Sequence, residues 1–260
     1  TLVNSFHGRT LATLTATGQE VFHHDFGPFP ERFGYIPAGD FAALQAAADA
    51  ETCAVLLELV QGEGGVVALD KDYVAQVAAF CKERDILLLV DEVQTGVGRT
   101  GTFLACEQYD LHPDIVTLAK GLGGGLPIGA VVMTKKVADH MGPGSHGSTF
   151  GGNPVVCAGA LAVMEQLTPE LLAHARKMAE TLRTGLQTLP HVTAVSGLGL
   201  MVGIAFEDGI SAAAVRTACE QQGLLVLTAK TRLRLLPPLI LTQEDVDKAL
   251  AILRTVLEKV

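Results

Sequence analysis

Residues 85–94 read Asp85-Ile86-Leu87-Leu88-Leu89-Val90-Asp91-Glu92-Val93-Gln94. Five consecutive aliphatic side chains bounded by charge have strand length. An unbroken run of this kind is what a strand covered on both faces of a parallel sheet requires. Working outward, residues 53–59, 115–118 and 130–133 are similar short apolar runs. Ahead of residues 86–90, Asp70 is placed to cap a helix in which Tyr73, Val74, Val77, Ala78 and Cys81 follow helical spacing. Strand-helix alternation with aliphatic strands predicts an α/β fold with a mostly parallel sheet.

The flanking segments extend the pattern. Residues 1–4 read as a strand, followed by a turn at Gly8 and a small helix from about Thr10. A His-, Phe-, Gly- and Pro-rich loop covers 23–37, and Asp40 caps the next helix. Helices are expected over 153–166 and 169–189. After Pro190 the texture changes to strands at 192–196 and 200–206, a helix over 212–222, strands at 224–227 and 233–235, and a helix over 242–259. This predicts a larger domain over 1–167 and a smaller α/β domain over 168–260. Residue 1 is Thr, which suggests a chain that starts inside a longer one, whereas the capped, charged-ended last helix reads as a natural finish.

Composition narrows the function classes. A chain with 48% hydrophobic and 18% charged residues is not disordered. A net charge of −9, with no basic cluster beyond Lys135-Lys136, argues against nucleic acid. The apolar runs fall far short of the roughly 20 residues of a membrane span, and no signal peptide is visible. The five cysteines are widely spaced without a CxxC and read as reduced core thiols of a cytoplasmic protein. His7, His23, His24 and His146 show no metal-ligand spacing, so no metal is expected.

In open α/β sheets ligands gather beyond the carboxyl ends of the strands. There the sequence carries Phe6-His7-Gly8-Arg9, then Gln61-Gly62-Glu63, then Asp91-Glu92-Val93-Gln94, then Lys120. Lys120 follows an apolar strand and precedes glycines. A desolvated lysine there is suited to carbonyl chemistry, although a surface lysine in a Gly-rich turn has the same appearance. Asp91 at a strand end is either a structural cap or ion pair, or the partner of a protonated ring nitrogen. A Lys with such an Asp is the chemical minimum for pyridoxal phosphate (PLP) enzymes. Residues 96–101 match GxGxxG, the dinucleotide fingerprint. The carboxylates ahead of it would repel a pyrophosphate, and the tight strand-to-glycine turn is missing. Arg9 and Arg234 offer forks for a carboxylate or serve in surface and structural ion pairs, with Glu63 available to pair with Arg234. Ser148 and Thr149 offer hydroxyls and amides to a phosphate, or form a plain loop.

Taken together and in order, SFHGRT at 5–10, QGEGG at 61–65, DEVQTGVGRTG at 91–101, PDIVTLAKGLGGGLPIGA at 113–130 and GSHGSTFGGNP at 144–154 resemble the class III PLP-dependent aminotransferases. The resemblance spans essentially the whole chain. It implies PLP-transferase fold type I, with part of the large domain ahead of residue 1 missing. It also implies roles. Lys120 takes up the cofactor's aldehyde and shuttles a proton. Asp91 pairs with the ring nitrogen, Gln94 lies near the ring hydroxyl and Phe6 stacks on the ring. Thr149 binds the phosphate of the neighbouring subunit's cofactor, so a homodimer shares its active sites. Arg9 and Ser148 bind substrate. Glu63 pairs with Arg234 while the amino donor is bound and frees it for 2-oxoglutarate. SFHGRT, QGEGG and PGSHGSTFGGNP are most similar to members that take the terminal amine of N2-acetylornithine in arginine biosynthesis. Ornithine, succinylornithine and 4-aminobutyrate are the other donors implied. The chain departs from the family pattern at Leu59, where Pro usually follows the Glu, and at Leu235, where Phe often follows the Arg. About a hundred family residues, including a Gly-Thr/Ser phosphate loop, have no counterpart here.

Overall fold

The computed structural model describes residues 1–259. The chain forms two compact units: Thr1–Leu59, Leu69–Val97 and Leu104–Leu167 make the first, and Val60–Ala68, Gly98–Phe103 and Thr168–Val260 the second. One division between them falls after Leu167. Two short insertions, Val60–Ala68 and Gly98–Phe103, belong to the second unit although the sequence placed them in the larger domain. Their partners lie more than a hundred residues away, for example Arg99 Nη1 on the Leu200 carbonyl at 3.3 Å, so local pattern does not assign them.

In chain order the elements are α1 (Leu11–Ala16), α2 (Phe41–Ala47), β1 (Ala54–Leu57), the hairpin β2 (Val60–Gln61) and β3 (Val67–Ala68), α3 (Lys71–Arg84), β4 (Leu87–Asp91), β5 (Ile115–Leu118), β6 (Ala130–Met133), α4 (Lys135–Ala138) and α5 (Pro154–Gln166). There follow α6 (Pro169–Gln187), β7 (Val192–Leu198), β8 (Met201–Phe206), α7 (Ala212–Gln221), β9 (Leu227–Ala229), β10 (Arg232–Leu235) and α8 (Gln243–Leu257).

The first unit is built on a sheet of order β1-β4-β5-β6. The β1–β4 and β4–β5 pairs are parallel, and β6 runs antiparallel. Helix α3 starts where Asp70 accepts the Tyr73 amide at 3.0 Å and ends at Asp85 in the left-handed region. Its Val77, Phe80 and Cys81 pack with Leu88 and Val90 in the main core cluster. Each such aliphatic side chain contributes about 1.5–3 kcal/mol by leaving water. Leu87 and Leu89 on the opposite face are half-buried within the described residues. A second cluster packs Val116, Leu118 and Leu122 against Ala160 of α5.

The second unit is an antiparallel sheet of order β7-β8-β10-β9 carrying α6, α7 and α8. Proline at the first turn marks α5 and α6, capped by Asn153 and Thr168; a Thr242–Asp245 capping box opens α8.

Two expectations are corrected. Residues 1–4 form no strand, only single bridges Leu2 to Ile36 and Val3 to Gly18, because Asn4 at φ 70° turns the chain out of extended conformation. Within the described residues β6 pairs on one side, with β5, and Val131 and Val132 are each 57% exposed. The strand expected at 224–227 begins only at Leu227, leaving Leu225 exposed. Among the described residues no single helix is long and apolar enough to cross a membrane.

The cysteines are not uniformly core thiols. Cys81, Cys106 and Cys219 are buried, Cys157 is half-buried and Cys53 is exposed just ahead of β1. Burial pushes the thiols of Cys81 and Cys219 up to about 11 from an ordinary 9.0. The folded state therefore keeps protons that the unfolded chain releases, and this stability is complete below pH 9.0 and lost as pH rises through about 11. The melting temperature is expected to stay level at neutral pH and fall above pH 9. In parallel, a thiol reagent at neutral pH modifies Cys53 first and the three buried thiols only in denaturant.

Candidate active site

Asp91 ends β4 with strands on both sides. Its Oδ1 accepts the Thr117 hydroxyl of the neighbouring β5 at 3.0 Å and the Val93 amide at 3.1 Å. Its Oδ2 accepts His7 Nδ1 at 2.8 Å, with only 2% of the His7 side chain and 10% of the Asp91 side chain exposed. A carboxylate requires a donor at Nδ1, which sets the imidazole tautomer and leaves His7 Nε2 buried without a partner. A carboxylate offers about four acceptor positions. Three are filled here, and one remains on Oδ2.

The loop carrying His7 is clamped at consecutive amides. Phe6 N donates to Glu58 Oε1 at 2.7 Å, and His7 N to Thr17 Oγ1 at 2.9 Å. Gly8 follows at φ 134°, where a Cβ would lie 2.7 Å from Thr13 Oγ1, so a side chain is excluded on both counts. Lys120 follows β5 across Ala119 and opens a short 3-10 turn at φ 47°. A small cleft of about 80 Å³ brings Phe6, Asp91, Gln94 and Lys120 together with His7 and Glu58. Within this chain Lys120, two residues beyond the end of β5, is exposed.

The remaining predicted residues are placed separately. Arg9 is exposed on the same loop as Phe6, its guanidinium 5.5 Å from the Phe6 ring centroid. Ser148 and Thr149 lie in an exposed loop and are not among the cleft-lining residues; the Ser148 hydroxyl accepts the Gly151 amide at 2.9 Å. In the second unit, Arg234 of β10 is buried and its Nη1 donates to Glu63 Oε1 at 2.6 Å. The Nε of Arg234 is buried without a partner. Glu63, between β2 and β3, is the more accessible of the two, at 29% against 8%.

The family model for aminotransferase class-III matches residues 1–257. The chain belongs to this family. It is 53% identical to the acetylornithine aminotransferase of Haemophilus ducreyi over 259 residues, covering 99% of this chain and 66% of that protein. It is 46% identical to the acetylornithine aminotransferase of Caldanaerobacter subterraneus, covering 100% and 67%. Among solved structures, the ornithine aminotransferase of Toxoplasma gondii superposes with a TM-score of 0.93 at 33% identity, covering 100% of this chain and 63% of that one. PLP partially occupies the active site of that protein. The N-acetylornithine aminotransferase of Stenotrophomonas maltophilia gives a TM-score of 0.82 at 34% identity, covering 99% and 65%. The class-III chain described here thus spans about two thirds of the length of these relatives.

The class-III glycine run has a packing explanation. A Cβ on Gly96 would stand 2.8 Å from both the Glu92 carbonyl and a Leu118 methyl. One on Gly101, at φ 99°, would stand 2.5 Å from Arg176 Cγ. These positions are glycine because neighbouring atoms occupy the space, which removes the need for a phosphate to explain them.

Sequence reasoning missed three acidic or basic groups of this class-III site. His7 was grouped with the strand-end residues and weighed as a metal ligand, but not as the partner of Asp91. Glu58 was noted only for the residue after it. Glu92 was read only as a strand-end carboxylate that would repel a pyrophosphate, because partners that are two distant amides and a hydroxyl leave no local pattern. It is fully buried and accepts the Cys106 amide at 2.8 Å, the Ala105 amide at 3.0 Å and the Thr95 hydroxyl. It therefore ties the segment after Asp91 to the turn at Ala105–Tyr109. Glu92→Ala would leave three buried donors unsatisfied at about 1–3 kcal/mol each. A loss of about 3 kcal/mol or more in urea unfolding is expected, with unchanged m; a loss below about 1 kcal/mol would show that water replaces the carboxylate.

Proposed function

We propose that this chain carries the Schiff-base half of a PLP-dependent aminotransferase. The reaction moves the terminal amine of N2-acetylornithine to 2-oxoglutarate, giving the semialdehyde and glutamate. The observation that carries this reading is the convergence of Phe6, Asp91, Gln94 and Lys120, from three separate segments, on one cleft.

The residues present fit the cofactor. Asp91 has one acceptor position left on Oδ2 after its three hydrogen bonds, suited to a protonated ring nitrogen. When bound, PLP supplies an electron sink for the pair released as the donor loses a proton. Asp91, held by His7 and Thr117, keeps its negative charge aimed into the cleft. Phe6 supplies a stacking face, its position set by Glu58. Gln94 is the polar group for the ring hydroxyl, and Thr149 would hold the phosphate of a neighbouring subunit's cofactor in a homodimer. Lys120 supplies the amine for the aldehyde and, once released, moves the proton.

Arg9 is the fork for the donor carboxylate, and Ser148 a further substrate contact. The Arg234–Glu63 pair supports a switch. Closed, it leaves no free cation for a donor that lacks a second carboxylate; opened, it presents Arg234 to 2-oxoglutarate. Glu63 is the partner able to move out, because it is the more exposed one. Arginine biosynthesis in the cytoplasm is the setting this substrate implies.

The identity to two acetylornithine aminotransferases, 53% and 46%, favours that donor. Ornithine is the second reading, favoured by the TM-score of 0.93 to an ornithine aminotransferase. Steady-state comparison of the four candidate donors with 2-oxoglutarate, on the chain completed to the length of its relatives, tests this. The highest kcat/KM is expected for N2-acetylornithine; a clear preference for ornithine or 4-aminobutyrate overturns the donor assignment.

A further inference from the structure

We propose that Phe22 positions the Arg9 guanidinium for the substrate carboxylate. The inference rests on the reading of Arg9 as the carboxylate fork and adds a residue to it. Arg9 Cζ lies 4.5 Å from the Phe22 ring centroid and 5.5 Å from that of Phe6. The two rings meet edge to face at 5.4 Å and 77°. One aromatic pair therefore carries both the side chain assigned to the cofactor ring and the cation assigned to the substrate.

Phe22 is itself held from both sides. It ends the 3-10 turn Glu20–Phe22, with its amide donating to the Gln19 carbonyl at 3.1 Å. Gln19 is buried, and its Nε2 donates to the carbonyls of Ser5 at 3.0 Å and Asn4 at 3.3 Å, directly ahead of Phe6. On the other side, His23 Nε2 lies 2.9 Å from the Thr17 carbonyl and 3.0 Å from that of Leu14. The turn bearing Phe22 and the loop bearing Phe6 and Arg9 are thus tied into one piece. A guanidinium stacked on an aromatic face keeps its N–H groups in plane, directed outward for a bidentate partner. An exposed arginine without that platform samples many rotamers and gives up more entropy on binding.

The test uses the active enzyme, completed to the length of its relatives, with Phe22→Leu, Phe22→Tyr and Arg9→Lys. KM and kcat are measured for the amino donor and for its analogue lacking the α-carboxylate, together with the melting temperature in the absence of substrate. Phe22→Leu is expected to raise KM for the carboxylate donor about two- to fivefold at similar kcat, the size of an exposed cation–π contact. It is expected to leave KM for the carboxylate-free analogue unchanged. Phe22→Tyr, which keeps the ring face, restores the wild-type KM. Arg9→Lys raises KM for the carboxylate donor further. If Arg9→Lys raises KM and Phe22→Leu does not, the role of Phe22 is overturned while Arg9 stands. If Arg9→Lys leaves KM unchanged, the reading of Arg9 itself fails. Equal effects of Phe22→Leu on both donors, with a lowered melting temperature, would make Phe22 a packing residue and overturn the proposal.

Discussion

On the proposed reading, Lys120→Ala in the chain completed to the length of its relatives is expected to remove transamination, with kcat/KM reduced by at least about 10⁴, because a single side chain would supply both the amine that takes up the aldehyde and the base that moves the proton. Lys120→Arg is expected to be equally inactive. Its guanidinium keeps the charge but is no nucleophile at any accessible pH. Alanine at φ 47° has the same backbone cost as lysine, so the substitution adds no backbone strain. The chemical test is borohydride reduction after incubation with PLP, followed by peptide mapping. A pyridoxyl group is expected on Lys120 and on none of the other lysines. Labelling only in a chain completed to the relatives' length would place the missing determinants of affinity outside residues 1–260. Labelling in neither form would remove the PLP reading.

Asp91→Asn is the second large effect. Hydrogen bonds to a charged group contribute about 1.5–3 kcal/mol, so losing the one aimed at a protonated ring nitrogen lowers PLP affinity roughly 10- to 100-fold. The structure adds a further cost. An asparagine that keeps its oxygen toward Val93 and Thr117 turns its NH2 toward His7 Nδ1, which must then accept. The imidazole proton moves to Nε2, an atom that is buried without a partner. Binding titration followed by cofactor absorbance, with kcat measured at saturating PLP, reads both consequences. Wild-type affinity in Asp91→Asn would show that this carboxylate does not face the ring nitrogen.

The legible part of this protein is the part encoded within a few residues. Asp40 and Asp70 cap helices as expected because a capping side chain reaches an amide only three residues on. Strands β1, β4 and β5 were readable from aliphatic runs. Residues 1–4 misled, since four residues carry no periodicity and one left-handed Asn4 outweighs strand propensity.

The same division holds at the site. Asp91 and Lys120 stood out because each interrupts an apolar strand with a charge, and the order of motifs around them identified the family. Their surroundings were decided elsewhere in the chain. The Glu58 clamp on Phe6 joins residues 52 apart, His7 meets Asp91 across 84, and Arg234 meets Glu63 across 171. The sequence by itself determined the α/β alternation, the helix caps and the placement of a lysine and an aspartate at neighbouring strand ends, since these depend on covalent spacing and local hydrogen bonding. Tertiary structure alone decided that Glu58 joins the Lys120 cleft, that His7 orients Asp91, and that Glu63 closes on Arg234. Burial selects which distant groups must satisfy one another's hydrogen bonds, and that selection exists only once the chain has folded.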